Sequence, residues 1–283
     1  MPVIAVINRK GGSGKSTLAT HLAAWCATNG IAVMLGDVDR QQSTQSWLRR
    51  REARRPTQQA PIVGWNVDPR NVLRPPAGIT RVVLDTPGGL RGLDLARVVM
   101  FTDVIVMPVC NSAFDRESAA ECHAELLSLP RVASGRCKVA AVGMRVDART
   151  KGAEVLAQWA ERLKLPYIGV LRETQGYVRC VEQGLTLFDL PVSKVQDDLA
   201  QWKPIIDWLE PMLLAAQQAA AGERAVRPTT TSYAPRADAP APSRRSPVTR
   251  PAELAVLPEP LAPRPRGGLF DWLPIPRFLQ RDS

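Results

Sequence analysis

Asn8-Arg9-Lys10-Gly11-Gly12-Ser13-Gly14-Lys15-Ser16-Thr17 follows directly on the apolar run at residues 3–7. The pattern reads as a buried strand delivering the chain into a phosphate-binding loop. Glycines let successive backbone N–H groups turn toward one anionic point without Cβ clashes. A helix expected over residues 15–28 aims its positive end at the same point, and Asn29-Gly30 supplies its C-terminal stop. Lys15 brings a full charge to the β- and γ-phosphates, and the Ser16 hydroxyl can ligate Mg²⁺. Gly11, Gly12, Ser13, Gly14, Lys15, Ser16 and Thr17 are therefore the expected nucleotide cradle, with Lys10 at its front. The first loop position holds Arg9, where the common G-x-x-x-x-G-K-[ST] pattern has glycine.

Outward from this loop, apolar runs alternate with helix-like segments up to about residue 213. Residues 31–36 precede a helix near 42–54, 81–85 precede 92–100, and 103–109 precede 116–129. Residues 138–146 precede 153–163, and 167–171 follow. Continuous Val/Ile/Leu runs between helices predict an α/β fold, a mostly parallel twisted sheet flanked by helices. The composition changes after Gly222. Residues 222–266, rich in Pro, Ala, Arg, Ser and Thr without apolar periodicity, predict a disordered linker after a domain at 1–221. Residues 267–283 turn apolar and aromatic again. They are too few for a core of their own, and Pro274 and Pro276 interrupt any long helix. They predict a short docking motif with Phe270, Trp272 and Phe278 as partner-binding residues.

Two further segments carry carboxylates. Asp37-Val38-Asp39-Arg40-Gln41 stands at the carboxyl end of the second strand, where open parallel sheets bind ligands. Period-two geometry sets Asp37 and Asp39 on one side of an extended segment. Such a pair suits Mg²⁺ and a water nucleophile, or alternatively a helix cap plus a structural carboxylate. Residues 81–89, Arg-Val-Val-Leu-Asp-Thr-Pro-Gly-Gly, form an apolar strand ending in Asp85 and a glycine-rich turn. An Asp there can hold the water shell of Mg²⁺, and a following glycine N–H can bond a γ-phosphate.

Lys-Gly-Gly-x-Gly-Lys-[Ser/Thr], Asp-x-Asp-x-Gln and Asp-Thr-Pro-Gly together resemble the deviant Walker A ATPases of the ParA/MinD family, ParA-type. The likeness covers roughly residues 1–213. It implies ATP and Mg²⁺ as cofactors, with Lys10 and Lys15 on phosphates, Asp39 positioning the attacking water, and Ser16, Asp37 and Asp85 around the metal. Arg40 stands where the family usually has proline. The family's base-reading Asn or Thr falls at about Met144, which cannot hydrogen-bond an adenine edge. The resemblance also implies a homodimer that sandwiches ATP through Lys10, and non-specific DNA binding through Arg179, with Arg172, Lys194 and Lys203 as neighbours. It further implies a ParB-like or cargo-adaptor partner that stimulates hydrolysis.

The 283-residue chain carries a formal charge of +10, which favours a polyanionic partner, nucleic acid or an anionic membrane surface. Five scattered cysteines without a C-x-x-C pair suggest reduced thiols rather than a disulfide frame or zinc site. No signal peptide or apolar stretch of about 18 residues is visible. These readings predict a cytoplasmic, nucleoid-associated switch that positions a plasmid, chromosome or protein cargo. Alternatives are a MinD-like membrane-associated ATPase, or an accessory ATPase of an exopolysaccharide/cellulose synthase or chemotaxis system. His21 and His123, in helical segments, are read as structural. A second basic cluster, Arg49-Arg50-Arg51 with Arg54 and Arg55, is either a phosphate-contacting patch or a solvated helix end.

Overall fold

The computed structural model describes residues 1–39, 41–54, 59–66 and 76–226. Arg40, Arg55, the rest of the expected linker, and the tail with Phe270, Trp272 and Phe278 lie outside the described residues. Chain contacts divide the molecule after Thr229. The unit before that point holds a seven-stranded sheet in the order β3-β2-β4-β1-β5-β6-β7. Every pairing in it is parallel. Its strands are β1 (Val3–Val6), β2 (Val33–Asp37), β3 (Ile62–Asn66), β4 (Arg81–Asp85), β5 (Val104–Val109), β6 (Lys138–Val146) and β7 (Tyr167–Arg172). The helices are α1 (Lys15–Thr28), α2 (Ser43–Arg54), α3 (Gly92–Met100), α4 (Ala113–Ser128), α5 (Pro130–Ala133), α6 (Gly152–Arg162), α7 (Gln175–Glu182) and α8 (Val192–Val226).

Both faces of the sheet are covered, so the strands read as unbroken apolar runs. On β1, Ile4 and Val6 point into one core with Leu18 and Leu22 of α1 and Trp202, Ile205, Leu209 and Leu213 of α8. Val3, Ala5 and Ile7 point into the other core, with Leu95 of α3, Leu126 of α4 and Leu156 of α6. The α8 stripe at 202, 205, 209 and 213 is helical in period. Pro204 and Pro211, inside that helix, lie on its exposed side.

Two differences from the sequence reading have physical causes. Strand β3 was not predicted. It is a short strand at the sheet edge, and α2 packs closely over its central Gly64. A Cβ there would fall 2.7 Å from Gln45 Oε1 and 2.8 Å from Leu48 Cδ1 of α2. Helix α8 also runs to Val226, past the expected boundary at 221. Its last turns are alanine-rich, and alanine outweighs the single Gly222.

Candidate functional site

β1, β2 and β4 are neighbours, and their carboxyl ends are level. Asp85 lies in register with both Val6 and Asp37. The loop after β1 takes left-handed backbone at Gly12 (φ 74°) and Gly14 (φ 94°), the latter capping α1. A side chain at either position would be strained. The loop therefore wraps a cleft of about 390 Å³, lined by its own backbone, Lys15, Ser16, Thr17, Asp39, Gly88 and Arg145.

Lys15 is almost fully buried, and its ammonium donates to the Lys10 carbonyl at 3.0 Å. Burial lowers its pKa, partly offset by Asp85 and Asp39. Asp85 is more unusual. Both of its oxygens are buried without a hydrogen-bond partner. Burial pushes its pKa up to about 7; the nearby Ser16 hydroxyl and Lys15 favour the charged form, while Asp37 and Asp39 oppose it. A desolvated, unpartnered carboxylate beside a serine hydroxyl at a phosphate loop is the donor set a hydrated Mg²⁺ takes. The residues present fit that ion. When bound, it would supply positive charge between the phosphates and Asp85.

Asp37 does something else. One of its oxygens accepts from Thr44 N at 3.0 Å and Thr44 Oγ1 at 2.6 Å, and the other from Asp39 N at 3.0 Å. It is fully buried. These bonds give Asp37 a capping role toward the first turn of α2 and the loop. Asp39, by contrast, lines the cleft.

Lys10 reaches sideways: its Nζ lies 2.7 Å from Asp115 Oδ1 at the start of α4. Burial raises the Asp115 pKa, but the Lys10 and Ser112 hydrogen bonds outweigh it and the net shift is downward. Arg9, at the loop's first position, pairs with Glu121 (3.3 Å) and Glu125 of α4. Its carbonyl accepts Gly89 N–H at 2.6 Å, and Glu125 accepts Gly92 N–H at 2.7 Å. Gly88 packs on Gly11, where an added Cβ would lie 3.4 Å from the Gly11 backbone.

A second cleft, about 330 Å³, continues from the first through Gly14, Thr17 and Arg145. Met144, Leu171, Glu173, Thr174 and Val178 line it. Arg145 borders both clefts and holds left-handed backbone (φ 53°). The sequence reading gave it no role. The signal was an arginine at the carboxyl end of a buried strand.

The expected DNA-binding residues separate into two kinds. Arg172, Arg179 and Lys194 line one groove of about 420 Å³ between α7 and α8. Within it, Arg172 is paired with Asp198 at 2.6 Å. Lys203 is not among the lining residues and pairs with Asp207 at 2.5 Å along α8. His21 is structural, as expected. It stacks on Trp202 at 5.5 Å, meets the Thr17 carbonyl at 2.8 Å, and burial lowers its pKa to about 4. All five cysteines are free.

A parallel sheet with a glycine loop between β1 and α1, a lysine in the loop and a carboxylate at the end of a neighbouring strand defines a P-loop nucleotide-binding domain. The chain belongs to the family of the CobQ/CobB/MinD/ParA nucleotide binding domain, whose model matches residues 4–187. It is 31% identical over 216 residues to "Maintenance of carboxysome distribution protein A" of Gloeobacter kilaueensis, covering 74% of this chain and 94% of that one. In fold it is similar to a candidate plasmid partition protein of Borrelia burgdorferi B31 bound to AMPPNP. The TM-score is 0.55 at 15% identity, over 73% of this chain and 98% of that one. It is also similar to the MinD cell division protein of Aquifex aeolicus, with a TM-score of 0.53 at 17% identity, over 78% and 97%.

Proposed function

We propose that the chain is a ParA-type ATPase, a dimerisation switch that positions a cargo and is reset by Mg²⁺-dependent hydrolysis of ATP. The observation that carries this reading is the constellation at the strand ends. Lys15 and the loop amides hold polyphosphate, Ser16 and Asp85 hold the metal, and Asp39 orients the attacking water. Catalysis of this kind is positioning and charge stabilisation. Lys10 stands outside the cleft in the single chain, 2.7 Å from Asp115. A second subunit's nucleotide gives it a polyanionic partner to exchange for that carboxylate. The basic groove at Arg179 and Lys194 then binds DNA without sequence preference, which would place the switch on the nucleoid. A ParB-like or cargo-adaptor protein stimulates turnover. The relative's name, maintenance of carboxysome distribution, supports a protein cargo. No helix among the described residues is long and apolar enough to cross a membrane.

Sizing chromatography with ATP tests the cycle. Asp39→Ala is expected to retain ATP as a trapped dimer without turnover. Lys10→Ala is expected to bind ATP and stay monomeric. A parent chain that stays monomeric with bound, unhydrolysed ATP overturns the reading.

A further inference from the structure

We propose that Arg50 and Arg54 of α2 join Arg179 of α7 and Lys194 of α8 in one strip that grips the phosphate backbone of double-stranded DNA. This deepens the DNA-binding part of the proposed function and rests on it.

The strip draws on two segments far apart in sequence, residues 50–54 and 179–194, which are joined at Arg54. Arg54 donates to Gln183 Oε1 at 3.3 Å. Gln183 caps α7 one turn beyond Arg179, and both line the groove that holds Lys194. Close backbone packing fixes the junction: a Cβ on Gly184 would fall 2.4 Å from Arg51 N and 2.9 Å from Arg50 Cβ. Arg50 and Arg54 are four apart, so they share one helix face. Both are exposed, as is Arg179.

Two of the acidic groups around this strip are already committed, while Glu182, three residues after Arg179, and Asp197, three residues after Lys194, are exposed. Arg51 turns inward and pairs with Asp189 at 2.7 Å, and Asp198 is taken by Arg172 at 2.6 Å. Glu52 is two positions from each strip arginine and so projects from the opposite side of α2. Among the described residues, Arg50 keeps one side-chain partner, Ser46 at 3.2 Å, which is neutral. The helix C-terminus attracts cations by itself, but that effect asks for no alignment with α7.

DNA fits this strip better than lipid does. The apolar residues of α2, Trp47 and Leu48, are buried, so the helix offers no apolar face to a membrane. Arginine forks match phosphate oxygens geometrically. The strip is also joined to the nucleotide cleft. Its helix begins at Ser43, and its first turn is bonded to Asp37, which also holds the Asp39 amide.

The test measures binding of mixed-sequence duplex DNA by the full chain with ATP across a salt series. Arg50→Ala/Arg54→Ala is compared with Arg179→Glu, and with Arg97→Ala/Arg162→Ala, which removes equal charge from α3 and α6 on the opposite face. A melting midpoint near the parent's reports an intact fold. The strip predicts that Arg50→Ala/Arg54→Ala flattens the salt slope by about one per arginine and weakens binding roughly tenfold at moderate salt. Arg97→Ala/Arg162→Ala should bind as the parent does. If Arg179→Glu loses DNA while Arg50→Ala/Arg54→Ala does not, the strip is overturned and the DNA reading stands. Equal weakening by Arg97→Ala/Arg162→Ala reduces it to general charge and also overturns it. A parent that binds anionic phosphatidylserine vesicles but no DNA in any nucleotide state overturns both.

Discussion

At the strand ends, charge is buried and partly unpartnered; along α2 and α7 it is exposed. Asp85 sits in the first region with neither oxygen hydrogen-bonded, and Lys15 is almost completely removed from water. In the second, Arg50, Arg54 and Arg179 face solvent, and the one charge turned inward, Arg51, is matched by Asp189. A buried unpartnered charge costs free energy that only a ligand can return. An exposed one costs little and acts at range, screened by salt. On the proposed reading, one region serves tight, stoichiometric binding, and the other loose, salt-sensitive attachment.

The largest expected effect breaks the first region. Lys15→Ala should weaken ATP binding by about two orders of magnitude or more, read by fluorescent-nucleotide titration, because the loop loses its only buried cation among the described residues. Next comes the inward arginine of the second region. Arg51→Ala leaves Asp189 buried and unpaired, and chemical denaturation should show a loss of about 3–5 kcal/mol. Asp85→Asn sharpens the contrast, since it should do the opposite. In the metal-free chain it should raise stability by roughly 2–4 kcal/mol at pH 8 while abolishing Mg²⁺-dependent turnover. The sign follows from the raised pKa. The folded state holds a proton that the unfolded chain has released, so stability of the parent should fall as pH rises from about 4 to about 7 and level off above. A parent flat across that window would show that Asp85 is solvated. The smallest effect belongs to Lys203→Ala: the pair with Asp207 is exposed, and melting and DNA affinity should change within about 0.5 kcal/mol.

The cleft was legible from sequence because its chemistry is local. Ten consecutive residues build the loop, and Asp39 and Asp85 each follow an apolar strand that marks where they end up. The bonds of Asp37 were not legible for a physical reason: period-two geometry predicts which side a carboxylate takes, not which backbone donors, such as the Thr44 amide, it accepts from. β3 was missed because Gly64 breaks the β-branched pattern, and its use is visible only against Gln45 and Leu48. The basic cluster on α2 was visible as composition. Its junction with α7, where Arg54 meets Gln183 129 residues away, is something no local pattern encodes. The Lys10–Asp115 pair is of the same long-range kind.

Arg9 has a consequence for when the nucleotide loop becomes ordered. Its carbonyl and its guanidinium, through Gly89 and Glu125, tie three stretches of chain into one closed ring of contacts that needs no ligand. Fixing a residue's backbone costs about 1–2 kcal/mol, and here that cost is met when the chain folds. An arriving phosphate then meets walls already in place, so that more of its contact energy appears as affinity. Glycine at this position would keep the carbonyl bond to Gly89 but lose the guanidinium arm that closes the ring.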